Sequence, residues 1–79
     1  HAGYRVYACK NGRVAVAALE PHFAVRLCGA AGVPLKNPVK DLFKPATRQA
    51  IEAFLLNQTR AQLDKLATAK DIPLLTLPR

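Results

Sequence analysis

Residues 4–23 read YRVYACKNGRVAVAALEPHF. Two short apolar runs, 4–9 and 14–19, flank Lys10-Asn11-Gly12-Arg13. Alternating Tyr and Val suit pleated strands, and Asn-Gly between two such runs is the strongest short hairpin signal. A type I′ turn needs positive φ at both central positions, which Asn and Gly tolerate. Centred on Asn11-Gly12, the two-residue loop would pair Lys10 with Arg13, Cys9 with Val14, Ala8 with Ala15, Tyr7 with Val16 and Val6 with Ala17. One face would carry Tyr4, Val6, Ala8, Ala15, Ala17 and Leu19. The other would carry Tyr7, Cys9, Val14 and Val16, with Arg5 near its end. Both faces are apolar, whereas an antiparallel sheet with one side in water shows one polar face. Either helices cover both sides, or one side meets another domain or chain.

After the hairpin, Pro21 suits the first position of a helix, because its missing N–H would be unpaired there anyway. The pairs Phe23/Leu27 and Ala24/Cys28 give an apolar stripe, and the helix is expected over about 21–28, ended by Gly29 and Gly32. Residues 32–44 hold two prolines and read as a loop with at most a short turn. Pro45 opens a second helix, about 45–57, with Ala50, Ile51, Phe54 and Leu55 inward and Arg48, Gln49 and Glu52 toward water. Thr59-Arg60-Ala61-Gln62 matches a capping box and starts a third helix, about 59–69, with Leu63, Leu66 and Ala67 inward. DIPLLTL, 71–77, reads as an extended segment with a strand over about 72–77, which Pro73 restricts to an edge or an end. The expected fold class is α+β: an antiparallel hairpin, 4–19, and a third strand packed with three helices.

The chain has 79 residues, half of them hydrophobic, which bounds it to a single small domain, 1–79, and excludes a disordered segment. It begins with His1 and contains no methionine, so it reads as a processed product or a piece of something longer. No apolar run is long enough to span a membrane and no signal-peptide pattern is visible, so neither membrane nor secretion is expected. Cys9 and Cys28 lack a C-x-x-C or metal-ligand spacing; they read as buried thiols of a reducing compartment, with no metal. The net charge of +7 raises nucleic acid as a partner. However, the bases are scattered. Lys36, Lys40 and Lys44 recur every four residues, but across Pro38, and no aromatics interleave with the bases as a stacking platform requires.

Glu20 stands where the second strand stops and the first helix begins. As N-cap it is a poor capping side chain, although its charge gains roughly 0.3–1 kcal/mol from the positive helix end. A carboxylate held at such a junction can also serve as a general acid/base or a substrate anchor. His22 reads as a partly exposed first-turn histidine, and a Glu20–His22 catalytic pair is not expected, because helical neighbours two apart point in different directions. Tyr4 and Tyr7 read as packing residues, and Asp41, Asp64 and Asp71 as cap or turn acids. No Ser-His-Asp set, phosphate-cradling glycine loop or metal constellation can be assembled, so the chain lacks a complete active site.

The stretch 4–23 resembles the CaiB/BaiF, or class III, CoA-transferase family, which includes α-methylacyl-CoA racemases. Family members carry a segment like Y-x-x-Y-x-C-x-D/N-G-R-V-A-V-x-A-x-E-P-x-F, matched here by Tyr4, Tyr7, Cys9, Asn11, Gly12, Arg13, Val14, Val16, Ala18, Glu20, Pro21 and Phe23. The later FLLNQTRAQLDKLATAKDIPLLTLP, 54–78, is similar to the family's closing stretch. The resemblance implies a much longer parent enzyme with a large Rossmann-like CoA-binding domain and this small domain, two chains interlocking as a homodimer. The small domain would pack on the large domain of the partner, which would account for the second apolar face. The substrate would be a coenzyme A thioester, the location cytoplasmic, and this piece would bind no cofactor and be inactive alone. In transferases a large-domain aspartate forms a mixed anhydride and then a CoA thioester; in racemases large-domain His and Asp move the α-proton. The glutamate of E-P-x-F lies near that site, and Glu20 is the matching position. The closing D-A-C-V-T-P-V of many racemases is DIPLLTL here, so CoA transfer between carboxylic acids is the first reading and a racemase-like activity the second. A basic nucleic-acid-binding module is a further alternative, separated by its steep salt dependence.

Overall fold

A computed structural model describes residues 1–78. Strands β1 (Tyr4–Cys9) and β2 (Gly12–Ala17) form an antiparallel hairpin. Helix α1 (Pro21–Ala31) follows, then a loop holding a short 3-10 turn at Asp41–Phe43, then α2 (Pro45–Leu56) and α3 (Arg60–Lys70). Strand β3 (Leu74–Leu77) returns antiparallel to β2, giving the sheet order β1-β2-β3. The fold is α+β, with Pro73 just outside the edge strand it precedes.

The hairpin register differs from the sequence expectation. Cys9 pairs with Gly12, Tyr7 with Val14, Val6 with Ala15 and Tyr4 with Ala17. The loop is therefore Lys10-Asn11, and Gly12 belongs to β2. Among the described residues only Gly32 and Asp71 have positive φ, so the tip is not a type I′ turn. Contacts distant in sequence select this register. The Lys10 N–H donates to the Gln58 carbonyl (2.9 Å), and the Asn11 side-chain oxygen accepts from the Arg60 N–H (2.8 Å), the first amide of α3. A Cβ on Gly12 would lie 2.3 Å from the Leu77 carbonyl oxygen, so this glycine serves the approach of β3 rather than a turn. The slip is by two residues, and because side chains alternate with period two, each keeps its face.

Tyr7, Cys9, Val14 and Val16 are buried on one face, together with Ile51 and Leu55 of α2 and Leu63 of α3. α1 contributes Ala24, Leu27 and Cys28 to the same core. Helix α1 continues through Gly29 and stops only at Gly32, whose αL backbone (φ 72°) places its N–H on the Gly29 carbonyl. It thus runs past the end expected near Cys28. The capping box at α3 is complete: Thr59 Oγ1 accepts from the Gln62 N–H (3.1 Å) and Gln62 Oε1 from the Thr59 N–H (2.8 Å). Tyr7 is buried and donates its hydroxyl to the Ala2 carbonyl, and burial raises its pKa. Cys9 and Cys28 are buried free thiols, and burial pushes the Cys28 thiol up.

The opposite face has no cover among the described residues. Tyr4 (59% exposed), Val6 (52%) and Leu75 (65%) stand on it, beside Ala15 and Ala17. All three helices serve the first face, so the described residues cover one side of the sheet.

Candidate functional site

The ladder continues one step past β2: the Ala18 N–H donates to the Gly3 carbonyl (2.6 Å), which leaves Leu19 half-exposed and Glu20 at the turn into α1. Glu20 has extended backbone (φ −77°, ψ 144°) and is the N-cap of α1. Its carbonyl accepts from the N–H groups of Phe23 and Ala24, both at 3.0 Å. Its carboxylate makes no capping hydrogen bond, and its side chain is 66% exposed. A Glu side chain is one methylene too long to fold back neatly on the first-turn amides, so it projects. The backbone fixes where the carboxylate starts, and no helix amide claims it.

His22 lies closer to Glu20 than helical spacing suggests: its Nε2 is 3.4 Å from Glu20 Oε2. The expectation that the two side chains diverge is overturned, because Glu20 sits outside the helix on extended backbone and the i, i+2 geometry of a helix does not apply to it. The His22 ring also packs on Phe23, centroids 4.1 Å apart. The junction thus presents a carboxylate beside an imidazole at the protein surface, a pair suited to holding or passing a proton.

The strand that leads into this junction also lines the exposed sheet face. Tyr4, Val6, Ala15, Ala17, Pro73 and Leu75 line a shallow hollow of about 540 Å³ on it. Leu19 joins it to Glu20 in sequence. Hydrophobic alternation made this face visible in the sequence; the contribution of Leu75 from β3 depended on a strand pairing that only the fold reveals.

The three aspartates are structural. Asp41 Oδ2 accepts from the N–H groups of Lys36 (2.9 Å) and Asn37 (3.0 Å), and Oδ1 lies 2.9 Å from Lys44 Nζ. The Asn37 amide, the Lys44 ammonium and the Lys36 amide together lower its pKa to about 2. Asp64 accepts from the Thr76 hydroxyl (2.7 Å), tying α3 to β3. Asp71 closes α3 in the αL conformation and meets Arg26 at 3.2 Å. Among the described residues no three His, Cys, Asp or Glu side chains converge as metal ligands, and no helix is long and apolar enough to cross a membrane.

Residues 1–77 match the family model described as CoA-transferase family III. A search of curated proteins finds no match. The matched span takes in both the hairpin with its Glu20 junction and the return through α3 to β3, so the chain belongs to CoA-transferase family III.

Proposed function

We propose that this chain is the small domain of a two-domain enzyme that transfers coenzyme A between carboxylic acids. In this reading it completes an acyl-CoA site whose nucleophile lies elsewhere. The observation that carries the proposal is the junction itself: a carboxylate on fixed backbone, unclaimed by its helix, three residues past a strand that lines an exposed apolar sheet face. The apolar face docks on the large domain, and in an interlocked homodimer that domain belongs to the second chain. Docking would bring Glu20 to the thioester and remove water from around it. There Glu20 orients the acyl group or an incoming carboxylic acid by accepting or donating a hydrogen bond. The chain alone then turns over no acyl-CoA, and the reaction runs in the cytoplasm on soluble thioesters.

The Glu20–His22 contact favours a second reading, a racemase-like enzyme. A carboxylate and an imidazole 3.4 Å apart can relay the proton removed from the carbon next to the thioester carbonyl. Exchange of the α-proton for solvent deuterium without change of acyl partner would select racemase over transferase.

The test is Glu20→Gln in the parent enzyme. Losing the acid/base group is expected to lower kcat by about 10²-fold or more. The same change should move stability by less than about 1 kcal/mol, since only an exposed charge–dipole interaction is altered. Unchanged turnover would leave Glu20 as a helix-end charge and refute the proposed role.

A further inference from the structure

Glu20 starts from fixed backbone, but its side chain is long and flexible, and no helix amide holds its carboxylate. A group that orients a substrate or moves a proton acts well only when it is itself held in one geometry. We propose that His22 is the positioning residue that supplies this hold: its imidazole engages Oε2 of Glu20 and leaves Oε1 to meet the acyl substrate. The inference rests on the reading of Glu20 as the group that docking brings to the thioester, and it adds a second residue to that site.

The first observation is the contact itself. His22 Nε2 stands 3.4 Å from Glu20 Oε2. It arises because Glu20 is on extended backbone just outside α1 while His22 is within its first turn.

The second observation is that the imidazole is backed from behind. Its ring packs on Phe23 with centroids 4.1 Å apart and a tilt of 43°. Phe23 is half-buried and packs against the core. The Arg26 guanidinium lies 5.6 Å from the centroid of the same Phe23 ring. Arg26 also donates to the carbonyl (3.3 Å) and the carboxylate (3.2 Å) of Asp71, the residue that closes α3. The row His22–Phe23–Arg26–Asp71 therefore ties the imidazole to the body of the domain. It also commits Arg26, the next base along α1, to Asp71, so Arg26 does not compete for Glu20.

In this chain both side chains of the pair are more than half exposed, and water screens the contact. Docking that removes water strengthens it, and contacts of this length tighten when substrate is bound. His22 need not touch the thioester; it acts through Glu20.

The experiment is a double-mutant cycle in the parent enzyme, with Glu20→Gln, His22→Phe and the two together. His22→Phe keeps a ring against Phe23 and removes the nitrogen that faces Oε2. It should lower kcat about tenfold and leave KM within about twofold, the value of one hydrogen bond to a charged group lost at the reacting state. On top of Glu20→Gln the same change should cost less than about twofold, because no carboxylate is left to hold. His22→Gln, which restores a side-chain N–H, should recover kcat to within about threefold of the parent. A purely structural role for the ring predicts equal losses in both backgrounds and no rescue by glutamine, and either result would overturn the inference. A slow Glu20→Gln enzyme beside a fast His22→Phe enzyme would overturn the inference alone. A Glu20→Gln enzyme as fast as the parent would overturn the reading of the site and the inference with it.

Discussion

The two faces of the three-stranded sheet are built from the same kinds of residue and meet opposite environments. On one, Tyr7, Cys9, Val14 and Val16 are packed under three helices; on the other, Tyr4, Val6 and Leu75 stand in the open. Hydrophobicity therefore does not decide which side of this sheet is inside; the chain's supply of cover does. Eleven- and twelve-residue helices, joined by short connections after α2, cover one layer and no more. An exposed apolar sheet face of this kind marks an interaction surface. The carboxylate of Glu20 stands at the end of the strand that contributes to both faces.

Paired substitutions break the comparison most sharply. Val14→Asp places a charge in the covered core with no partner and is expected to cost more than about 4 kcal/mol, enough to unfold a domain of this size. Loss of the cooperative thermal transition is the readout. Acid acts on the same covered side with a smaller effect. The Asp41 carboxyl is held at about pH 2 against an ordinary 3.8, so it binds its proton less readily in the folded state than in the unfolded one. Its stabilisation is full above about pH 4 and is lost as pH falls toward 2. Asp41 seats the loop whose next residue, Leu42, is buried and accepts the Ala2 N–H at 2.7 Å. Thermal melts should therefore show Asp41→Asn with a flatter stability profile than the parent between pH 4 and 2; parallel profiles would contradict this. The smallest effect belongs to the open side: Val6→Asp should shift the stability of the 79-residue chain by no more than about 0.5 kcal/mol, because its side chain already meets water. A loss comparable with that of Val14→Asp would mean the face is covered after all.

The fold class was legible in the sequence because period-two alternation in 4–9 and 14–19, Pro21 and Pro45 at helix starts and the Thr59–Gln62 box are local signals. What escaped was set by distant contacts. Asn11-Gly12 reads as a turn, yet Asn11 is drawn to the first amide of α3 and Gly12 to the Leu77 carbonyl, so the register moved by two. Gly29 reads as a stop, but it lies in open space within α1 and costs the helix only about 1 kcal/mol relative to Ala, while Gly32 supplies the αL geometry that ends it. Glu20 was legible as a junction acid. Its contact with His22 was not, because it depends on the extended backbone just before the helix.

The central claim is that the open sheet face of this chain is covered in the whole enzyme. Val6→Cys tests it directly, because the native Cys9 and Cys28 are buried and contribute little background. The rate of alkylation of that thiol is to be compared between the 79-residue chain and the complete enzyme. Fast labelling of the former and strong protection in the latter is the predicted result; equal rates in both would contradict the account.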